Sequence, residues 1–111
     1  MRVRSRADYL RIQRKGRGCR GRYLILLNST NNLPISRFGV TVSRKIGNAV
    51  ARNRLKRRIR EIQRLNRHRI LPGHDIIVIA RIPAGQAEYV EIEDEFMKLA
   101  LKSGLLVKAE P

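Results

Sequence analysis

The sequence predicts a small α+β domain in which helices cover a single sheet, and three patterns lead to this fold class. Apolar residues at Leu55, Ile59 and Ile62 recur with the spacing of a helix. The run 36–43 alternates apolar with small or polar residues, as a half-buried strand does, and the run 75–80 is mostly β-branched. Strand, helix and strand follow in that order, which predicts a βαβ crossover within a sandwich of helices on a sheet.

The first third of the chain predicts one helix and one strand. A helix is expected from Ser5, which can cap it, to Lys15, and Gly16 can end it. The Gly-rich segment 17–21 is interpreted as a loop. The short apolar run 22–27 is bounded by turn-forming residues, which favours a buried strand.

The remaining segments predict two more strands and two helices. The run 36–43 has one apolar face and one small, polar face that could admit a nucleic-acid strand. Asn48 is the expected cap of a long helix that ends near Asn66. The run 75–80 is predicted as a central strand buried on both faces. A last helix is expected over 88–102, and its early acids and late lysines suit the helix dipole. Its inward residues are expected to be Ile92, Phe96, Leu99 and Ala100.

Length and composition indicate one domain with a modest aliphatic core. The chain has 111 residues, of which 42% are hydrophobic and none is tryptophan. No repeat or linker divides it, so residues 1–111 are expected to form a single domain with a flexible tail at 105–111. The order of elements is α-β-β-α-β-α, with room for one more short strand.

The charge of the chain indicates the class of its partner. The net charge is +16, and residues 44–69 hold eleven basic residues against one acid, Glu61. A solvated helix usually mixes charges of both signs, so this excess favours a polyanion, and nucleic acid is the expected partner. A basic membrane-surface protein is the alternative. The apolar stripe at Leu55 and Ile59 is explained more simply as core.

Other function classes have little support in the sequence. The single cysteine, Cys19, allows no internal disulfide, and neither a membrane-spanning run nor a signal core is found, so we expect a cytoplasmic protein. His68 and His74 lack the further ligands of a metal site. The five acids within 88–95 suit a helix start better than catalysis. The glycines at 16–21 form no P-loop, and no small-molecule substrate is expected.

Residues 37–60 carry a specific resemblance to a known family. This segment resembles the signature of the bacterial ribonuclease P protein subunit, and Arg52, Asn53 and Arg54 match the RNR motif of that family. The resemblance continues at 75–81 and covers nearly the whole chain. It implies a fold of the order α-β-β-β-α-β-α with a left-handed βαβ crossover, like the second domain of ribosomal protein S5.

The resemblance also implies an activity. Ribonuclease P is an endonuclease that removes the 5′ leader of precursor tRNA, and its catalytic centre lies in an RNA subunit that uses metal ions, Mg²⁺ above all. The protein subunit of the family binds the catalytic RNA and the leader, and assists the metal-dependent reaction. The chain alone is therefore not expected to cleave RNA, and no catalytic or metal-binding residue is assigned to it.

Two groups of binding residues follow from the resemblance. The residues expected to bind the RNA subunit lie in and just before the long helix: Lys45, Asn48, Arg52, Asn53, Arg54, Lys56, Arg57 and Arg60. The residues expected to bind the leader come from the first helix and the strands: Tyr9, Gln13, Ile25, Leu27, Thr41, Ser43 and Arg44. The family often has aromatic residues where Gln13 and Leu27 stand. Leader contacts here are therefore expected to depend on Tyr9 and on hydrogen bonds.

Two rival functions come from other classes. A structural RNA-binding protein, such as a ribosomal protein, would share the composition but not the signature at 37–60. A helix-turn-helix DNA-binding protein would need a second helix at a spacing that is missing around 47–66. The signature favours ribonuclease P over both.

The charge generates a prediction for the free protein. At low salt the +16 charge should leave it poorly folded, because like charges repel in the compact state. Sulfate or phosphate should fold the chain by binding the native state, which circular dichroism can follow. A fully cooperative fold in dilute neutral buffer that anions do not stabilise would contradict this prediction.

Overall fold

The computed structural model describes residues 2–3 and 6–107, apart from the side chain of Lys15. Within them the chain forms, in order, α1 (Arg6–Lys15), β1 (Arg17–Arg20), β2 (Leu24–Thr30), β3 (Arg37–Val42), α2 (Ala49–Asn66), β4 (His74–Ala80) and α3 (Tyr89–Lys102). Short 3₁₀ turns lie between some of them: Arg44–Ile46, Arg67–Arg69 and Ile82–Gln86. The expected helix cap, Ser5, lies outside the described residues. The order α-β-β-β-α-β-α confirms the predicted α+β fold class.

The strands form a sheet in the order β1-β2-β4-β3. β4 occupies a central position, antiparallel to β2 and parallel to β3. Because β3 and β4 run the same way, the chain must cross the sheet between them, and α2 makes that crossing. The βαβ crossover predicted from the order of the segments is therefore present.

The main core lies between the sheet and the helices α2 and α3. Leu55, Ile59 and Ile62 of α2 are at most 4% exposed, as their helical spacing predicts. The inward residues of α3 are also those that the sequence predicts: Ile92, Phe96, Leu99 and Ala100. Both helices pack against the same face of β2, β3 and β4 and make one continuous, largely aliphatic cluster.

Helix α1 covers part of the opposite face of the sheet. Its Ile12 is fully buried and packs with Val3 and Ile77. Along β4, Ile76 and Val78 belong to the main core, whereas Ile77 lies under α1. Most of this strand is therefore covered on both faces, as its β-branched sequence predicts, and Ile79 near its end is half-buried.

Strand β1 is the additional strand that the resemblance implies, but it lies in the segment 17–21, which the local sequence favoured as a loop. Arg17 to Arg20 pair with Asn28 to Ile25 of β2 in antiparallel register. Strand β2 also continues to Thr30, three residues beyond the predicted end of that strand. Both errors have one cause. Pairing with a neighbouring strand supplies the backbone hydrogen bonds, and tertiary context overrides the weak strand propensity of glycine and asparagine.

Two smaller features of the packing differ from what the sequence pattern suggests. The segment 105–107, assigned to a flexible tail, is held in place. Leu105 is 1% exposed, and its carbonyl accepts a hydrogen bond from the Leu71 N–H at 2.7 Å. Ala51, which continues the apolar spacing of α2, is exposed, because the first turn of α2 projects beyond the core. The remainder of the tail, 108–111, lies outside the described residues.

A buried carboxylate joins α1 to the sheet. Asp75 at the start of β4 has no solvent exposure. Arg37 donates to its Oδ1 from Nε at 2.7 Å and to its Oδ2 from Nη2 at 2.6 Å. Arg11 of α1 donates to Oδ2 at 2.6 Å, and Asn31 donates to Oδ1 at 2.9 Å. One carboxylate thus ties α1, β3 and the loop after β2 to β4.

The pKa of Asp75 reflects two opposing effects. Burial alone raises the pKa of a carboxyl group, because it disfavours the charged form. The hydrogen bonds from Arg37, Asn31 and Arg11 outweigh burial, so the pKa of Asp75 lies below its ordinary value. The hydrogen bond to Asp75 in turn raises the pKa of Arg37. The carboxylate is therefore ionised at neutral pH and supplies the charge that compensates two arginines.

We predict that Asp75→Asn lowers the free energy of unfolding by about 3 kcal/mol at neutral pH, because it leaves a partly buried cluster of cations without its carboxylate. The folded-state pKa of Asp75 is depressed, so its contribution is present above about pH 4 and is lost as the pH falls through the folded-state value. The stability gap between the variant and the wild type should therefore narrow below pH 4. Urea unfolding at constant chloride concentration, repeated between pH 7 and pH 2, measures this gap.

Glu61→Gln is the matched control for the Asp75 variant. It removes one carboxylate from an exposed pair with Arg64 on α2 and should change stability little. Equal destabilisation by the two substitutions would show that Asp75 acts only through the net charge of the chain.

Candidate nucleic-acid interface

The entrance to α2 presents polar and basic residues on a short 3₁₀ turn. Ser43, Arg44 and Lys45 are all exposed. Asn48 follows as the cap of α2, as predicted, and its Oδ1 accepts the N–H of Ala51 at 2.9 Å. Because the cap engages this oxygen, only the side-chain amide nitrogen of Asn48 remains to donate to an outside partner.

The outer face of α2 presents its cations to solvent. Asn53, Arg54, Arg57 and Arg60 are exposed, while Arg52 and Lys56 are half-buried on the flanks of the helix. Leu55 and Ile59 anchor the opposite face in the core, so the backbone that carries these side chains is fixed. The structure thus places every α2 residue expected to bind the RNA subunit outside the core, on a rigid support.

The arginines of this face are mostly free of internal partners. In the described part of the chain, no carboxylate forms a salt bridge with Arg54, Arg57 or Arg60. Arg64 differs, because it donates to both oxygens of Glu61 at 2.6 and 3.1 Å. This hydrogen bond lowers the pKa of Glu61 and raises that of Arg64. The cation of Arg64 is therefore partly neutralised within the helix, whereas the other three remain available to an anion.

An open strip of the sheet lies beside α1. The register of the strands places Ile25, Ile79 and Thr41 side by side across β2, β4 and β3. Ile25 and Ile79 are half-buried and Thr41 is exposed, so this row forms an accessible floor. The next row, at Leu27 and Ile77, is covered by α1. Ser43 and Arg44 follow β3 at the end of the open row, so the floor continues towards α2.

The wall of this cleft comes from α1. Tyr9 packs beside Ile12 against the sheet, and Gln13, one helical turn further on, is exposed. Tyr9 can lie on the sheet because residue 39 is glycine. A Cβ at Gly39 would come within 2.5 Å of the Tyr9 hydroxyl oxygen. The structure therefore places Ile25 and Thr41 on one open strip of the sheet with α1 beside it. Leu27 differs from the other expected leader residues, because it is half-buried in the row that α1 covers.

Ile79 is a floor residue that the sequence analysis missed. It stands between Ile25 and Thr41 in the register and packs partly with the cluster under α1. All of β4 was predicted as buried core. An unbroken apolar run has no alternation of apolar and polar residues that would mark an exposed position near its end. Only the register of three strands shows that α1 stops short of this row.

The acids of α3 have structural partners. Glu95 accepts the backbone N–H groups of Arg22, Tyr23 and Leu24 at 2.6–2.8 Å, which holds the turn between β1 and β2 on α3. Glu91 accepts the Glu88 N–H in a capping box and the hydroxyl of Tyr23. These bonds lower the pKa of Glu91, the backbone bond most. The early acids of this helix thus stabilise its first turn and its packing, in agreement with the helix-start interpretation.

The described residues also bear on metal binding and on membrane insertion. Within residues 2–3 and 6–107, no three histidine, cysteine, aspartate or glutamate side chains are grouped as a metal site requires. Among the same residues, none of the helices combines the length and the apolar character needed to cross a bilayer.

Comparison with known proteins gives a consistent family. The family model described as Ribonuclease P matches residues 1–104. The ribonuclease P protein component of Natranaerobius thermophilus is 40% identical over 101 residues, which is 91% of this chain and 88% of the relative. The corresponding protein of Clostridium acetobutylicum is 39% identical over 111 residues, covering 98% and 93%.

Solved structures of the same family share the fold. The RNase P protein of Staphylococcus aureus superimposes with a TM-score of 0.88 at 34% identity, covering 96% of this chain and 97% of the other. The RNase P protein of Thermotoga maritima gives a TM-score of 0.85 at 32% identity, covering 98% and 99%. Both the sequence and the arrangement of the elements therefore match along almost the whole chain.

Proposed function

The chain belongs to the ribonuclease P protein family, and from this premise we propose that its α2 face binds the catalytic RNA while its cleft binds the 5′ leader of precursor tRNA. As a member of the family it is a protein subunit of an endoribonuclease that acts in tRNA processing, and catalysis lies in the RNA. Its partner is accordingly an RNA. The proposal concerns which RNAs these are and which residues contact them.

The observation that carries the proposal is the row of unpaired arginines on α2. Arg54, Arg57 and Arg60 have no carboxylate partner among the described residues, and a guanidinium group can contact two phosphate oxygens at once. An anchored helix holds these cations in a fixed arrangement along its backbone. Such an arrangement suits a folded RNA, whose phosphates are also fixed in space. The proposed contacts are those expected from the sequence: Lys45, Asn48, Arg52, Asn53, Arg54, Lys56, Arg57 and Arg60.

The cleft is proposed as the leader site. Its floor at Ile25, Ile79 and Thr41 is narrow, apolar in part and open, which suits the bases of a single strand. Tyr9 supplies an aromatic wall on which a base can stack. The other proposed contacts are Gln13, Leu27, Ser43 and Arg44. Because Ser43 and Arg44 join the floor to α2, a leader lying in the cleft would run towards the bound catalytic RNA.

The chemistry is divided between the subunits. Ribonuclease P is metal-dependent, and we propose Mg²⁺ as the metal, held mainly by the RNA subunit. The residues of this chain would then neutralise phosphates, raise the affinity for substrate and hold the leader in one direction. A cytoplasmic location, where precursor tRNA is made in bacteria, is part of the same proposal.

We predict that Arg57→Ala weakens binding of the catalytic RNA and reduces the salt dependence of that binding. Loss of one phosphate contact should lower the slope of log K against log salt by about 0.7–0.9. Filter binding across a range of salt concentrations measures the slope. Lys98→Ala is the control, since it removes the same charge from an exposed position on α3 and should leave the slope unchanged. An unaltered slope for Arg57→Ala would remove Arg57 from the interface.

Reconstitution tests the function as a whole. We expect the chain to stimulate leader cleavage by the catalytic RNA at low Mg²⁺ concentration. Tyr9→Ala should reduce substrate affinity by about fivefold or more for long leaders, since one stacked base is lost, and should spare the binding of mature tRNA. Tyr9→Phe keeps the ring and is the control.

Two results would contradict the proposal. An equal effect of Tyr9→Ala on mature tRNA would contradict the leader role of the cleft. Absence of stimulation by the wild-type chain, combined with tight binding of ribosomal RNA, would favour a structural RNA-binding protein instead.

A further inference from the structure

A second depression, which we call the β3 groove, opens along the outer edge of β3, between α1 and α2. Its volume is about 510 Å³, within the range of small-molecule sites. Val3, Phe38 and Val40 line it, each at most 9% exposed, so they present only a thin apolar surface to the groove. This groove cannot be recognised from the sequence, because the N-terminal segment, edge strand and helix that form it are distant from one another in the chain.

One wall of the β3 groove is strongly basic. Arg57, Arg60 and Arg67 follow one another at spacings of three and seven residues, so they form a single row along α2 and the turn after it. Within the described residues, none of the three forms a salt bridge. The exposed Arg2 adds a fourth cation to the lining. Glu61 and Arg64 also line this wall, but they pair with each other at 2.6 Å and leave it with a net positive charge. The groove therefore favours a ligand that carries negative charge on its α2 side.

The rest of the lining suits a flat ring. Tyr9 lies on the α1 side, and its ring rests over the sheet where Gly39 leaves room. Gln63 of α2 donates to the Gly39 carbonyl at 3.1 Å and is itself buried. This bond fixes the distance between α2 and the edge of β3, so the groove is built into the fold. Val3 packs in the same cluster as Tyr9, whereas Phe38 and Val40 belong to the main core and reach the groove from the α2 side of β3. A ring could lie against Tyr9 and Val3, with its edge towards Val40.

We infer that the β3 groove binds one unpaired nucleotide of an RNA strand, its base on the apolar floor and its phosphates on the arginine row. The inference rests on the proposed function, because only an RNA-binding role supplies such a ligand. It adds a base-binding pocket to a face otherwise assigned to phosphate contacts. The nucleotide could belong to the catalytic RNA or to precursor tRNA, and the chemistry that the groove recognises is the same.

Adenosine monophosphate and inorganic phosphate are suitable probes of the isolated chain. The experiment uses sodium chloride at a concentration where circular dichroism shows complete folding. Methyl NMR signals of Val3 and Val40 report on the floor of the groove. We expect adenosine monophosphate to shift these methyl signals through its ring and to bind at least about fivefold more tightly than phosphate, as a stacked base requires. Equal affinity for the two probes, or no methyl shift, would overturn the inference.

Arg67 and Arg69 provide a matched pair of variants. Both are exposed and lie in the same 3₁₀ turn, but only Arg67 lines the groove. Arg67→Ala should weaken the binding of adenosine monophosphate by about three- to tenfold, as the loss of one charge-assisted contact does, and Arg69→Ala by much less. Equal effects would place the bound nucleotide elsewhere and overturn the inference.

The same pair identifies the source of the nucleotide. If it belongs to the catalytic RNA, Arg67→Ala weakens assembly of the two subunits more than Arg69→Ala does. If it belongs to the substrate, the difference appears only when precursor tRNA binds the assembled enzyme. If the groove binds no nucleotide, the wild-type chain still stimulates cleavage. If the proposed function is wrong, the chain does not stimulate cleavage, while its binding of adenosine monophosphate is unchanged. The two failures are thus distinguishable.

Discussion

A buried carboxylate helps to fix the position of α1, and the cleft and the β3 groove both depend on that position. Asp75 is fully buried and accepts hydrogen bonds from Arg11 of α1, Arg37 of β3 and Asn31. The other contacts of this ten-residue helix with the sheet are few: Ile12 and Tyr9 pack on it, and Asp8 pairs with Arg37 at 3.5 Å. Asp75 helps to fix α1 over the part of the sheet that contains Asp75 and Ile77. The row that contains Ile79 therefore stays open as the cleft, and α1 forms one wall of the β3 groove.

Most acids of the described residues are used inside the fold, which leaves many cations without an internal partner. Asp8, Asp75 and Glu61 form the salt bridges of the described residues, with Arg11, Arg37 and Arg64. Glu91 and Glu95 of α3 accept backbone N–H groups instead, Glu95 at the turn between β1 and β2. With 25 basic residues against nine acids, few cations can find an internal partner. The excess is concentrated on α2, where the core anchors the helix from behind.

The sequence predicted elements whose signal is local and missed features that arise from pairing. The burial of Leu55 and Ile59, the cap at Asn48 and the covered faces of β4 follow from spacing and composition, and the structure confirms them. Strand β1 exists because β2 pairs with it, and no property of its Gly-rich sequence indicates a strand. Ile79 was predicted as core because its half-exposed position is likewise set by tertiary structure and not by local sequence. Its exposure depends on where α1 ends relative to the register of three strands, which is a property of the assembled sheet.

The arginines that are proposed to bind RNA also oppose folding of the free chain, and this links binding to stability. Arg54, Arg57 and Arg60 lie within one or two helical turns of each other, so their mutual repulsion raises the energy of the folded state. A bound polyanion removes that repulsion and adds its own binding free energy to the native state. Replacing one of these arginines should therefore stabilise the free protein slightly while weakening the complex. Loss of an arginine that only holds the fold together would instead lower the stability of the free protein and of the complex alike. The opposite signs of the two effects separate residues that face the RNA from residues, such as Arg37, that hold the fold together.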